Sequence, residues 1–504
     1  MSVWNDLLFG FSVALLPINL LAAASGAVIG TIVGVLPGLG PAGAIAVLLP
    51  ITFGIDPSTA LVLLAGIYYG SMYGGSITSI LVKVPGEAAS VVTTLDGYQM
   101  ARQGRAGPAL AIAAIGSWVA GTFGVIGITF LAPMLAKAAL TFGPPEYLCL
   151  AALALLMLPQ VTGGAIWKSY ALVALGVLIA SVGQDPTGGL IRFAPDFIPS
   201  LRQGIDFVPV VMGLYGVAEV LRSAEEWITT SGRPEHVTST PKLAQLWPSR
   251  EDLKRSAAPV GRGTVLGFFI GLLPGPGNII STYISYGLEK KLSKHPEEFG
   301  KGAIEGVAGP ESANNSATAG QLIPLLALGI PFSSITGLLL GGIMIHGIVP
   351  GPRLIVDHPH LFWGLIASMY IGNVMLLILN LPMVGLFAKL SLLTPRLLTP
   401  LVLLFCIVGA FSINNSLMDV WVLILSGCVG YLLQKAGYEP APLVLGMIVG
   451  PMLEASLTQT GLIIEGNWLQ LFSRPLTAIM LALMAAVLLW PMLSRVRTRS
   501  KKLA

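Results

Sequence analysis

The chain has 504 residues, of which 54% are hydrophobic and only 10% charged, with a formal net charge of +4. Soluble domains carry about 25% charge, whereas apolar blocks here, such as 107–133, 361–388 and 475–494, hold at most one charge each. That excludes a soluble enzyme, a nucleic-acid binder and a secreted disulfide scaffold, and implies an all-α polytopic membrane protein, since about 20 helical residues cross the hydrocarbon core.

In chain order, the N-terminus MSVWNDLLFGF lacks a basic n-region and a small-residue cleavage site, and reads as mature sequence. Residues 20–56 read as a hairpin broken at LPGLG (36–40), followed by spans at about 58–82, 107–133, 145–160, 165–183 and 207–222. A polar stretch marks a seam, and residues 258–288 form a matching hairpin broken at LPGPG (273–277). Spans follow at about 303–328, 361–388, 397–413, 417–436 and 440–460, with an unpaired last helix at 475–494. This gives about 11–12 membrane segments in a first repeat (1–222), a cytoplasmic linker (223–257), a second repeat (258–474) and a C-terminal helix with a basic tail (475–504). Cys149, Cys406 and Cys428 lie in apolar stretches without CxxC spacing and read as small core residues.

The duplication rests on three echoes in the same order. GTIVGVLPGLG (30–40) matches GFFIGLLPGPG (267–277) at an offset of 237, GGSITSIL (74–81) echoes NNSATAGQ (314–321), and LDGYQMARQG (95–104) echoes LGGIMIHGIVPG (340–351). No basic residue follows the first tip before residue 60, whereas four lysines follow the second. The trace places 23 of the 28 Lys/Arg residues on one side, the exceptions being Lys137, Arg192, Arg202, Arg353 and Arg474. Such asymmetry makes that side cytoplasmic, which puts the N-terminus in the periplasm, the C-terminus in the cytoplasm, and the two repeats in opposite orientations. Inverted repeats with discontinuous helices characterise secondary transporters, whose sites lie at the repeat interface.

Glycine (60) and proline (36) make up about 19% of the chain, against roughly 12% on average. At the tips, Pro37 and Pro274 remove a donor, and Gly38, Gly40, Gly275 and Gly277 permit backbone conformations closed to other residues. A helix broken in mid-membrane exposes N–H groups that attract anions and carbonyls that ligate cations. Ser76 and Thr78 in the first polar cluster, and Asn314, Asn315, Ser316 and Thr318 in the second, carry donors and acceptors suited to a carboxylate or an alkali cation. Helix–helix hydrogen bonding is the competing role for these small polar residues. Glu311 is a candidate for ion or proton coupling, because intramembrane carboxylates are costly and functional; capping its helix is the alternative. Lys83 is either a counter-ion or a snorkelling residue. There is no phosphate loop, no metal-ligand spacing and no catalytic constellation, so neither an enzyme nor a cofactor is implied.

GTIVGVLPGLGP (30–41), YYGSMYGGSITSIL (68–81), PGE (85–87), TTLDGYQMARQGRAGPAL (93–110), AGPESANNSATAG (308–320), ALGIPFSSITGLLLGGIMIHGIVPGP (327–352) and GYEPAPLVLGMIVGPMLE (437–454) together resemble the large permease subunit of the tripartite tricarboxylate transporter family. Phe332 departs from the glycine more usual there. The resemblance implies a bacterial inner-membrane importer of organic carboxylates such as citrate. It also implies a small four-span membrane subunit and a periplasmic solute-binding protein as partners, and a sodium or proton gradient as the drive. From the broken tips and polar clusters, not from the resemblance, Gly38, Gly40, Ser76, Thr78, Gly275, Gly277, Asn315, Ser316 and Thr318 are expected to hold substrate at the repeat interface, with Pro37, Pro274, Asn314 and Glu311 as candidates for the coupling ion.

Overall fold

The computed structural model describes residues 2–36, 40–161, 166–185, 188–229, 246–383, 386 and 395–503. The chain is an all-α polytopic membrane protein. Its first half contains α1 (Val3–Ala14), α2 (Pro17–Val35), α3 (Gly40–Leu48), α4 (Pro57–Leu81), α5 (Thr93–Arg102), α6 (Ala106–Ala139), α7 (Pro144–Val161), α8 (Ile166–Ala180) and α9 (Phe207–Val211). A π-helical turn (Met212–Val217) leads from α9 into α10 (Ala218–Thr229). The second half contains α11 (Arg250–Gly271), α12 (Gly277–Leu292), α13 (Glu305–Leu328), α14 (Ser334–Ile345), α15 (Leu354–Asp357) and α16 (Pro359–Asn380). It continues with α17 (Pro395–Asn414), α18 (Leu417–Lys435), α19 (Ala441–Ile463), α20 (Gln470–Ser473) and α21 (Pro475–Leu503).

Among the described residues, seven helical stretches are long and apolar enough to span a bilayer: α2, α4, α6, Phe207–Glu225, α16, α18 and α19. The apolar stretch that begins at the first broken tip with α3 is shorter. Several expected spans coincide with helices of the fold to within three residues, among them 58–82 with α4, 145–160 with α7 and 417–436 with α18. Helix α6 runs six residues past 133, α16 ends at Asn380 with 384, 385, 387 and 388 of its expected span outside the described residues, and α1, α5, α14, α15 and α20 lie outside the expected set. Sequence-local chemistry accounts for the boundaries. Asp56 accepts from the Ser58 and Thr59 N–H groups with Pro57 at the first helical position of α4, the arrangement that satisfies orphan donors at a helix start. Ser249 and Asp252 form a reciprocal cap on α11, and Gly329, at φ +72°, ends α13.

Each hairpin closes at its base. The Thr59 hydroxyl donates to Asn19 Oδ1 at 2.6 Å, so α4 starts beside the start of α2. Arg255 near the start of α11 likewise holds Glu305 at the start of α13, at 2.8 Å. Small residues at four-residue spacing then let the backbones touch. A Cβ on Gly26, Gly30 or Gly34 of α2 would meet the carbonyl of Leu63, Ile67 or Ser71 of α4 at 2.3–2.5 Å. Gly263, Gly267 and Gly271 of α11 stand in the same relation to Gly309, Ala313 and Ala317 of α13, at 2.2–2.4 Å.

Both members of each triad are therefore in register, at offsets of 237 on the first helices and 246 on the second. That register places Tyr68 and Tyr69 opposite Asn314 and Asn315 in the comparison, and Pro85 opposite Pro331. It is not the echo that aligned Ser76 with Ser316.

The halves interlock. Gln321 meets Tyr68 and Glu311 meets Ser76, so α4 and α13 run antiparallel. Helix α13 of the second half packs on α6 of the first, where Gly124 faces Ala319. Helix α16 of the second half packs on α4. The last long spans cross over too. Gly446 of α19 sits on Val173 of α8, and Gly213 sits on Leu423 of α18. A further tie is Asp96, fully buried, whose carboxylate accepts from the Gly300, Gly302 and Ala303 N–H groups at 2.8–2.9 Å and from the Tyr286 hydroxyl at 2.9 Å. With four donors, this buried charge is fully compensated.

Candidate functional site

The two broken tips end at one cavity of about 420 Å³. Gly40, at φ +55°, opens α3 on one side of it. Gly275, at φ +122°, stands on the other side and donates its N–H to the Phe332 carbonyl at 2.8 Å. Both glycines occupy the left-handed region that side chains resist. Gly277 starts α12 and backs onto Gly271 and Gln321, and Pro274 of the same tip is buried. Pro37 and Gly38 lie outside the described residues.

Helix starts dominate the wall. The first residues of α3, the Pro276–Asn278 start of α12, Ser333–Ile335 at the start of α14 and Ala441 at the start of α19 all line the cavity. Neither α12 nor α19 carries a side-chain cap. Helix N-termini present free N–H groups and a partial positive charge, and so favour anions. The wall also carries four charged side chains, Glu87, Glu219, Arg222 and Glu439. Arg222 holds Glu219 at 2.7 Å. Glu87 accepts from the Ala89 N–H and from Asn314 Nδ2, at 3.1 and 3.0 Å. Glu439, in the connection between α18 and α19, is pushed above the usual carboxylate range by burial, which lowers its charge. Tyr215 reaches this wall from the π-helical turn.

The polar clusters form a second layer behind the cavity. Glu311 accepts from the Ser76 hydroxyl at 2.5 Å and from the Thr93 hydroxyl. Asn315 Nδ2 donates to Ser117 Oγ at 2.7 Å and to the Glu311 carbonyl at 3.1 Å. The Tyr68 hydroxyl donates to Gln321 Oε1 at 2.9 Å. All these side chains are buried. Thr78 bonds only the Gly75 carbonyl of its own helix, and the Thr318 hydroxyl donates to the Asn314 carbonyl. Ser316 Oγ, Asn314 Oδ1 and Asn315 Oδ1 have no partner among the described residues. Lys83, at φ +63°, places its ammonium 5.8 Å from the centre of the Tyr98 ring.

Sequence reasoning thus named Glu311, Ser76 and Asn315, which meet, and Gly40 and Gly275, which share a cavity. It placed tips and polar clusters in one site, whereas Glu87, through Asn314, is the link between two layers. Thr93, Ser117 and the starts of α14 and α19 escaped it. The available signal was the Pro85-Gly86-Glu87 motif after α4 and its counterpart Pro331-Phe332-Ser333 after α13.

A second cavity of about 970 Å³ lies beyond the Gly329–Ser333 connection. Phe207 and Val208, the Leu340–Ile345 end of α14, and Met447 and Ile448 of α19 line it. The segment Phe207–Arg222, α14 and α19 therefore each line both cavities, and Pro331 and Ser333 face opposite ones.

Residues 20–445 match the family described as the tripartite tricarboxylate transporter TctA family. An uncharacterised 52.8 kDa protein in the TAR-I ttuC′ 3′ region of Agrobacterium vitis is 45% identical over 502 residues, covering 100% of this chain and 99% of that one. An uncharacterised protein in the TAR-II ttuC′ 3′ region of the same organism is 46% identical over 233 residues, covering 46% of this chain and 96% of its own length. No solved structure matches the chain. The family match takes in both hairpins, both polar helices and the wall of the cavity between the tips, and the chain belongs to the tripartite tricarboxylate transporter TctA family as a multi-pass permease component.

Proposed function

We propose that this chain imports organic carboxylates across the bacterial inner membrane by ion-driven alternating access, binding the anion in the cavity between the tips. The observation that carries this reading is the convergence of two broken hairpins and four helix starts on one 420 Å³ space, since N–H groups and helix dipoles are suited to carboxylates. The antiparallel course of α4 and α13, with glycine seams in matching register, supports inverted repeats divided at about 222 and 258. Because α19 packs on α8 and the π-helical turn packs on α18, the repeats are not separable bundles. Two cavities on either side of the Gly329–Ser333 connection supply the outer and inner chambers that alternating access requires. A small membrane subunit and a periplasmic binding protein complete the transporter, as the tripartite family implies. The N-terminus faces the periplasm and the C-terminus the cytoplasm.

The test is uptake of labelled di- and tricarboxylates by vesicles carrying all three components, under separately imposed sodium and pH gradients. Accumulation that requires this chain and one of the gradients is expected. Equal uptake without the chain, or none under either gradient, would leave it a scaffold or receptor subunit.

A further inference from the structure

The start of α12 carries more donors than its surroundings have acceptors for. Pro276 caps it without an N–H of its own, Gly277 donates to the Gly275 carbonyl at 2.8 Å, and Ile280 donates to the Pro276 carbonyl at 3.0 Å. The N–H groups of Asn278 and Ile279, between them, have no partner among the described residues, and both residues line the cavity between the tips. Side chains add to the surplus. Asn278 is only 7% exposed, yet its one side-chain hydrogen bond among the described residues runs from Nδ2 to Met72 Sδ, at 3.9 Å. Behind the same turn, Gln321 Nε2 is buried without an acceptor, 3.1 Å from where a Cβ on Gly277 would stand.

Buried donors without partners are costly, and a thioether is a weak acceptor. A carboxylate accepts at two oxygens, and hydrogen bonds to it are about twice as strong as neutral ones. Two successive backbone N–H groups and a side-chain amide, at the positive end of one helix, match one such group. Other polar side chains on the wall are spent elsewhere. Ser333 engages its hydroxyl in the cap of α14, and Gln434 donates to the Leu214 carbonyl at 3.4 Å.

We propose that Asn278 is a substrate-binding residue, whose amide leaves Met72 and joins the N–H groups of Asn278 and Ile279 in holding one carboxylate group of the transported anion. The proposal rests on the carboxylate-importer reading and names the donors that the second tip brings to the substrate. Met72 belongs to α4 of the first half and Asn278 to α12 of the second. Binding therefore exchanges a contact between the halves for a contact with substrate.

Thermal unfolding of the purified full-length chain, titrated with citrate, malate and succinate, tests the assignment. A carboxylate that binds the folded state raises Tm saturably. Asn278→Ala should raise its half-saturating concentration about tenfold or more, the loss of one hydrogen bond to a charged group. Without carboxylate the variant should melt like the wild type, because the side chain gives up only a thioether contact. Asn278→Asp keeps the size and opposes the charge of the substrate, so it should bind more weakly still and abolish uptake by vesicles carrying all three components. Met72→Leu nearly keeps the volume and removes the competing acceptor, so it should lower the half-saturating concentration. If Asn278→Ala does not fold, Met72→Leu decides, and a half-saturating concentration that stays or rises overturns the exchange. Wild-type half-saturation in Asn278→Ala, or wild-type uptake by Asn278→Asp vesicles, overturns the assignment and leaves import standing. A wild type that is neither stabilised by any of the three probes nor accumulates them overturns the importer reading, and this assignment with it.

Discussion

Gly267→Ala is expected to prevent the second hairpin from seating on α13, and Gly30→Ala to do the same for the first hairpin on α4. The added Cβ at Gly267 would stand 2.2 Å from the Ala313 carbonyl oxygen, and at Gly30 it would stand 2.4 Å from the Ile67 oxygen. These are backbone atoms in helices, so no rotamer change relieves the overlap, and the helices must separate along their whole seam. Overpacking of this kind costs about 1–3 kcal/mol where neighbours can shift, and more is expected here, where they cannot. Gly261 lies on the same helix as Gly267 with nothing within 4 Å of its added Cβ. Gly261→Ala should therefore be neutral, or stabilising by up to about 1 kcal/mol from helix propensity. Thermal unfolding and monodisperse yield in detergent read the difference. A Gly267→Ala chain that melts like the wild type would contradict the seam.

The second large effect concerns Glu311. Its carboxylate is buried and joins Ser76 of α4 to Thr93 of α5 across the interface between halves. Glu311→Ala should cost about 1–3 kcal/mol for each stranded hydroxyl, seen as a lower Tm. Glu311→Gln keeps an acceptor of the same length and removes the charge. It should retain most of the stability and lose concentrative uptake, because a neutral amide cannot balance a coupling cation. A Glu311→Gln transporter that accumulates carboxylate against its gradient as the wild type does would remove Glu311 from coupling.

What could be read in the sequence was local. Proline and glycine break helices within one turn, so both tips were visible at 36–40 and 273–277. Long apolar blocks placed the spans to within three residues of α4, α18 and α19, but missed the ends of α6 and α16 by six and eight. Pairing across hundreds of residues was not visible in the same way. The echo of Ser76 with Ser316 followed shared hydroxyls, yet backbone contact follows small residues, and the glycine seams set a different register. Glu87 has no apolar run or periodicity to mark it; it matters because its loop folds back until Gly86 touches Gly34, bringing its carboxylate to Asn314. The starts of α14 and α19 look like ordinary helix starts until the fold aims both at one cavity. Tips and polar clusters were read as one site because both interrupt apolar sequence, and only packing separates them into two layers.

The central claim is that the carboxylate sits where the tips and helix starts converge. Cys149 and Cys406 are buried and Cys428 is exposed, so a Cys428→Ser background leaves Ser334→Cys, on the cavity wall, as the accessible thiol. Its rate of modification by a charged thiol reagent, with and without saturating carboxylate in vesicles that accumulate it, tests the claim most directly. Marked slowing by the transported carboxylate, and none by an anion that is not transported, is the predicted result. An unchanged rate in the presence of a carboxylate that the same vesicles accumulate would contradict it.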